Sequence, residues 1–156
     1  MKRVLKNEII VECPIDKFFA YATTLKHWPE WHPATLSVKG QINKPAKAGD
    51  RAYEKVRTAR FFSGTIDWEI VKSKPNTEFS MRARKIRLPL LGNAGAQIDY
   101  QFKVMGRKKT KMTRIFCYHL PFHLIGLDII YLHGKMKSES LEAMKRLRDE
   151  VCRFSW

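Results

Sequence analysis

Apolar and polar residues alternate along most of this chain, and the alternation gives way to helical spacing near the start and again at the end. From Val4 to Val11, Leu5, Ile9 and Val11 fall on one side and Lys6 and Glu8 on the other, with Glu12 continuing the polar side. That period of two predicts a strand with one face on a core. Ile15, Phe18, Phe19 and Ala22 then recur at i, i+3, i+4 and i+7, which predicts a helix that buries a single stripe. Pro14 is expected at its first position, where a missing N–H costs no intrahelical bond. Segments Ser37–Ile42 and Arg51–Phe62 read as strands, separated by the turn-rich loop Lys44–Asp50, and Ser63-Gly64 reads as the next turn.

Three clearly alternating strands follow, with Ile66, Trp68 and Ile70, then Phe79, Met81 and Ala83, then Ile98, Tyr100, Phe102 and Val104 on their apolar sides. Asp67, Glu69, Ser80, Arg82, Arg84, Gln97, Asp99, Gln101 and Lys103 occupy the opposite faces, so the sheet has one wet side. A Pro-Asn turn joins Lys74 to Thr77, and Gly106 to Lys109 forms a tight hairpin into Met112–His119. From Gly134 to Val151, Met136, Ser140, Ala143, Met144, Leu147 and Val151 keep helical spacing, with lysines and arginines between them. The pattern is that of an α+β domain: seven antiparallel strands whose apolar side is covered by a long C-terminal helix.

The inward face of the last strand is left open by its sequence. A two-residue hairpin turn places Thr113, Ile115 and Cys117 inward, whereas a three-residue turn places Arg114 and Phe116 there, because a slip of one residue exchanges the faces. An inward Arg114 favours an anionic ligand, since a buried guanidinium needs an acceptor; an outward one is an ordinary surface arginine.

His27-Trp28-Pro29-Glu30-Trp31-His32-Pro33 breaks the regular pattern after the first helix: its prolines do not fit one continuous helix or strand, so it predicts a bend. With this bend between the first helix and a run of strands, the order of elements resembles the helix-grip superfamily of START-like and polyketide cyclase/dehydrase lipid-binding domains, SRPBCC, over nearly the whole chain. The resemblance implies a seven-stranded curved antiparallel sheet wrapped around a long C-terminal helix, with two short helices after strand 1 and a cavity between sheet and helix. It further implies a hydrophobic small molecule or lipid-like ligand in that cavity, held by a carrier or sensor. Cyclase-type relatives instead use a polar residue in the pocket to enolise or dehydrate a polyketide.

The 156 residues fit one domain, 1–156, and 44% hydrophobic residues with 12% aromatics suffice for a core without metals or disulfides. Cys13, Cys117 and Cys152 are odd in number and far apart, which argues against a disulfide framework or zinc site and suits a reducing cytoplasm. Met1-Lys2-Arg3 runs into a charged strand rather than the apolar stretch of a signal peptide. The longest apolar run, Leu124 to Leu132, is interrupted by Gly126 and Asp128 and falls short of the roughly 20 residues of a spanning helix. The net charge of +15 favours anionic partners and gives a third reading, an accessory domain that docks on an anionic membrane or protein; if the charge is more than a solvated face, weak contact with an anionic membrane or polyanion would run through Arg107, Lys108, Lys109 and the last helix. No interleaved stacking aromatics accompany the cations, so specific nucleic-acid recognition is not expected.

The inward row Trp68, Phe79, Met81, Tyr100 and Phe102 is the predicted ligand lining, with a filled core as its alternative. Tyr100 carries the row's one hydroxyl and is the best placed to orient a ligand. Trp28, Trp31 and Leu90 are expected at the pocket mouth, though the two tryptophans would serve equally as core anchors. The segment Leu88 to Asn93 reads as a lip over the pocket or a lid on the core. His27 and His32 lack a neighbouring ligand set, so neither metal nor cofactor is expected. Asp67, Glu69 and Asp99 lie on the wet face, leaving no carboxylate placed for catalysis.

Overall fold

A computed structural model describes residues 1–59, 61–89, 91 and 94–153. Seven strands form one antiparallel sheet in the order β1-β7-β6-β5-β4-β3-β2. They are β1 (Lys2–Val11), β2 (Thr35–Gly40), β3 (Arg51–Ala59), β4 (Phe62–Lys74), β5 (Glu78–Arg87), β6 (Gly95–Gly106) and β7 (Lys109–His119). Helices α1 (Ile15–Thr23) and α2 (Trp28–Trp31) carry the chain from the β1 edge to the β2 edge, and α4 (His133–Cys152) closes it. One end of this sheet therefore gathers the starts of β1, β2, β4 and β6 with the ends of β3, β5 and β7; the other end holds the Arg107-Lys108 turn. Curved sheet, long helix and two short helices make this the helix-grip fold.

Local chemistry accounts for these elements. Phe18, Phe19 and Ala22 of α1 are buried as their spacing requires, and Phe18 and Phe19 meet Phe102 of β6 edge-on at 5.5 and 5.0 Å. Pro14 stands one place earlier than expected, at the N-cap with ψ 144°, because the helix starts at Ile15. The bend contains a 3₁₀ turn, Leu25–His27, followed by the single turn of α2. Pro29 falls within the first turn, where its missing N–H is harmless, and His32 turns extended before Pro33. On α4, Ser140, Ala143, Met144, Leu147 and Val151 are buried and form the stripe that seals the core. Burying an aliphatic side chain of the size of Leu147 contributes about 1.5–3 kcal/mol.

Strand boundaries from β2 to β4 differ from expectation, and β3 ends at Ala59 rather than Phe62. β2 runs from Thr35 to Gly40, where a φ of 108° ends it. β4 begins at Phe62 and continues through Ser63-Gly64, so the turn lies just before it. Gly64 is needed there: a β-carbon would collide with the Arg87 carbonyl and the Leu88 side chain, where β5 leaves the sheet.

The β6–β7 hairpin settles the face of the last strand. Its turn has two residues, Arg107 and Lys108, between the paired Gly106 and Lys109, yet Val104 pairs with Thr110. Met105 is therefore an extra residue bulged out of β6, and it has the effect of a third turn residue. Tyr100 consequently faces Arg114 and Phe102 faces Met112, which turns Arg114 inward, where it is 2% exposed.

The helical segment before α4 has no signature in the sequence pattern. A 3₁₀ turn, Phe122–Leu124, leads into the short α3 (Ile125–Leu127) and a π-helical turn, Asp128–Leu132. Asp128 is fully buried and anchors the segment: Arg3 donates to it at 2.8 Å from β1 and the Tyr118 hydroxyl at 2.8 Å from β7. A second, smaller core of Leu5, Leu91, Tyr118, Leu120 and Leu124 lies beneath.

A candidate ligand cavity under the last helix

The sheet's apolar face and α4 do not meet everywhere, and the gap is a cavity of about 140 Å³. Its walls are mostly apolar, with Trp28, Ile66, Trp68, Ile98, Phe116 and Met136 around it. Polar groups enter the same space from β3, β7, α4 and the bend: Glu54, Arg114, Ser140, Glu139 and His32.

Glu54 is 2% exposed because it shares the inward face of β3 with Ala52 and Val56. Two hydrogen bonds hold its carboxylate, from the Thr35 hydroxyl and from the Trp68 indole N–H at 2.7 Å. Burial outweighs both and raises its pKa to about 6. Thr35 also lies 2.8 Å from His32 Nδ1, so a chain Glu54–Thr35–His32 runs along the wall. Enclosure first, and then the charge of Arg114, lowers the His32 pKa to about 3. His32 keeps part of its surface open, and it lines the cavity.

The chain of three has two hydrogen-bond orientations, since threonine has one O–H to give. When Glu54 is ionised, Thr35 donates to it and accepts from His32 Nδ1–H. When Glu54 is protonated, its own O–H points to Thr35, which then donates to an unprotonated Nδ1. Moving a proton at Glu54 thus selects the imidazole tautomer at the cavity wall.

Arg114 enters from β7 on the opposite side. Its Nη1 donates to Ser140 Oγ at 2.7 Å, and the Ser140 hydroxyl in turn donates to Asn7 Oδ1 at 2.5 Å. The guanidinium stacks over Phe116 at 5.3 Å from the ring centre. Its Nε has no hydrogen-bond partner, and no carboxylate among the described residues forms an ion pair with it. A buried cation that lacks both is poised for an acceptor. Nearer the mouth, Lys135 donates to the Thr58 carbonyl and pairs with Glu139 at 3.6 Å, tying α4 to the end of β3. Burial raises the Glu139 pKa against that lysine.

Of the predicted lining, Trp68 and Arg114 reach the cavity. Phe79, Met81, Tyr100 and Phe102 share the same side of the sheet but belong to the filled core beyond it, with Phe79 and Tyr100 stacked at 5.6 Å. The Tyr100 hydroxyl is buried beside Arg114 and Trp28 but forms no well-aligned hydrogen bond. At the expected mouth, Trp28 lines the inner wall while Trp31 is wholly buried edge-on to it at 6.2 Å. Leu90 lies outside the described residues; its neighbours Leu88 and Leu91 do border the cavity.

The expectation that no carboxylate is suitably placed is corrected by Glu54. The three acids considered do face outward, Asp67 pairing with Arg87 at 2.8 Å. Glu54 does not stand out in the sequence, because β3 also carries Arg51, Lys55 and Arg57 and reads as generally polar. Its signal was an acid on the face shared with Ala52 and Val56, where a core residue belongs. Among the described residues no group of three or more His, Cys, Asp or Glu could hold a metal ion, and no helix is long and apolar enough to cross a membrane.

A family model described as polyketide cyclase / dehydrase and lipid transport matches residues 2–147. In structure the chain is similar to the Zhui aromatase/cyclase from Streptomyces sp. R1128, at 12% identity and a TM-score of 0.77 over 98% of this chain and 95% of that one. It is also similar to a START superfamily protein from Mycobacterium smegmatis, at 11% identity and a TM-score of 0.72 over 97% and 99%. Norcoclaurine synthase from Thalictrum flavum, solved with dopamine and hydroxybenzaldehyde, gives 13% and 0.73 over 100% and 90%. No curated protein matches the sequence.

Proposed function

Because the chain belongs to the polyketide cyclase/dehydrase and lipid transport family, we propose that it binds a hydrophobic small molecule bearing an anionic oxygen in the cavity under α4, as a carrier or sensor. The observation that carries this reading is Arg114: a buried guanidinium with a free Nε, in an otherwise largely apolar chamber. An apolar ligand body would replace empty space beside Trp28, Trp68 and Phe116, and its anionic end would complete the arginine's coordination. Size limits the ligand. A cavity of about 150 Å³ holds a single benzene ring, so this chamber of about 140 Å³ takes one ring, with any longer tail leaving past Leu88, Leu91 and Leu132.

A matched pair of probes tests this, 3-phenylpropanoate and its amide, titrated by calorimetry alongside a mass spectrum of material extracted from the purified protein. The reading expects the carboxylate to bind more tightly than the amide, and Arg114→Leu to abolish that preference. Equal affinities for both probes, or a preference that survives the substitution, would exclude an anion-recognising cavity.

A second reading, an enzyme of the cyclase/dehydratase type, is favoured by Glu54. A carboxyl group titrating at about 6 is suited to exchange protons near neutrality, and the Thr35–His32 chain supplies a route for the proton. Turnover of a keto substrate that follows the ionisation of Glu54 and disappears in Glu54→Gln would support it. The small chamber argues against a multi-ring substrate lying wholly inside.

A further inference from the structure

The most exposed large apolar side chains are concentrated at one end of the molecule. Phe122 and Ile130 are each 86% exposed, Phe61 is 85%, Ile129 65% and Phe62 60%. Phe61 and Phe62 lie where β3 passes into β4, and the others lie on the segment that follows β7. Strand order brings both places to the same end of the sheet, the end at which Arg57, Thr58, Leu88, Leu91 and Leu132 border the cavity. Isolated exposed apolar residues are ordinary, but five of this size around a cavity mouth mark an interaction surface.

Charge identifies what it fits. The stretches that build this end are residues 1–4, 57–67, 85–98 and 117–139, and each of their acids is already paired: Asp128 is buried against Arg3, Asp67 pairs with Arg87 and Glu139 with Lys135. The same stretches supply Lys2, Arg3, Arg57, Lys85, Arg87, Lys135 and Lys137. Acids also accompany the opposite end, with Glu12, Asp16, Asp50 and Glu78 in or beside its connections. Apolar tips among an excess of cations, with Lys2, Arg57, Lys85 and Lys137 beyond those that the acids pair, match the boundary between lipid headgroups and acyl chains of an anionic bilayer.

We infer that the molecule docks by its cavity end on an anionic lipid bilayer, inserting Phe61, Phe62, Phe122, Ile129 and Ile130 so that the cavity mouth faces the membrane. The opposite orientation, led by the Arg107-Lys108-Lys109 tip, would present its cations with only Val104 and Met105 exposed beside them and no aromatic tip. Docking stands on exposure and charge alone; only its consequence, exchange of a ligand directly with the bilayer, rests on the cavity reading above.

The test is flotation of the full chain with phosphatidylcholine vesicles containing phosphatidylglycerol, and with pure phosphatidylcholine vesicles, across a salt series. Binding is expected with the anionic vesicles alone and should weaken with salt. Phe122→Ser combined with Ile130→Ser should reduce it by at least about tenfold, since each inserted side chain carries a large transfer energy. Both side chains are already in solvent, so the fold should survive, checked by circular dichroism. Arg107→Gln with Lys109→Gln should change binding by less than about threefold, as charges far from the surface are screened. Arg114→Leu should bind vesicles normally, which separates failure of docking from failure of ligand recognition. Absence of anionic-vesicle binding, or binding that follows the hairpin tip rather than Phe122 and Ile130, would overturn the proposal. So would a dimer in sedimentation that the apolar variant dissolves while vesicles go unbound, because the surface would then belong to a second copy of the chain.

Discussion

Trp68 and Glu54 lie diagonally across neighbouring strands, and the indole N–H of one holds the carboxylate of the other at 2.7 Å inside an apolar wall. The bond offsets only part of the cost of burying that charge, so the carboxyl keeps its proton up to about pH 6 against an ordinary 4.5. A raised acid pKa favours the fold at low pH. Below about 4.5 Glu54 is protonated in folded and unfolded chains alike, and no penalty exists. Between 4.5 and about 6 the unfolded chain releases its proton first, and this site's contribution falls as pH rises. Above that it levels off at a cost of roughly 2 kcal/mol. Glu54→Gln reproduces the protonated form, with its carbonyl facing Trp68 and its amide facing Thr35. Denaturant titrations of the two proteins from pH 4 to 8 should therefore differ by a gap that opens across this window; parallel curves would show that Glu54 ionises without penalty.

Arg114 separates the stability of a buried cation from its use. Replacing it by leucine removes the charge together with its desolvation cost, so Arg114→Leu should be neutral or stabilising. Ser140→Ala keeps the charge and deletes its acceptor at 2.7 Å, and should cost about 1–3 kcal/mol. Urea midpoints for the two variants should fall on opposite sides, or the first near the parent; equal large losses would mean that Arg114 is structural.

Tyr100 was the sequence's best candidate for orienting a ligand, and its position predicts a different outcome. Its hydroxyl is buried, forms no well-aligned hydrogen bond and does not line the cavity, although it lies beside Arg114, its cross-strand neighbour. Tyr100→Phe should leave 3-phenylpropanoate affinity unchanged and stabilise the protein by up to about 1 kcal/mol, by removing an unsatisfied polar atom. A loss of affinity in the same titration would return Tyr100 to the site.

Trp31 is wholly buried between Trp28 and Tyr100, with ring centres 6.2 and 6.4 Å away. Trp31→Ala should cost about 3–5 kcal/mol of stability. Thermal melts showing a much smaller loss alongside weakened ligand uptake would make it a gate rather than an anchor.

The alternation of Trp68, Phe79, Met81, Tyr100 and Phe102 made the buried face of the sheet legible, because a period of two depends on nothing beyond the strand itself. Which of them meet empty space was not legible, since that depends on where α1, α2 and α4 come to rest. Phe102 is covered by Phe18 and Phe19, whereas Trp68 is left at the edge of the gap. The burial of the apolar run Leu124 to Leu132 is not legible in its hydropathy: only Leu124 and Asp128 are buried, while Ile129 and Ile130 stand in solvent. Asp128 fixes that rotation by holding Arg3 and Tyr118, a long-range requirement that local hydrophobicity does not encode.

The bulge at Met105 decides whether this cavity contains an arginine at all. A direct two-residue hairpin would pair Phe102 with Thr113 and turn Arg114 to solvent; the extra residue in β6 moves β7 by one place and brings Arg114 and Met112 inside. Deleting Met105 should remove that shift and force a choice between two costs. Either Thr113, Ile115 and Cys117 turn inward and the core loses Met112 and Phe116, or the hairpin breaks its ladder to preserve them. Met105→Gly retains the extra residue and gives up a side chain that is 47% exposed, so it should cost no more than about 1 kcal/mol. Equilibrium unfolding distinguishes the two variants. The deletion is expected to lower stability by several kcal/mol and to eliminate preference for 3-phenylpropanoate over its amide, while the glycine variant keeps both. A deletion variant that folds with parental stability and retains the preference would show that the register of β7 is set elsewhere.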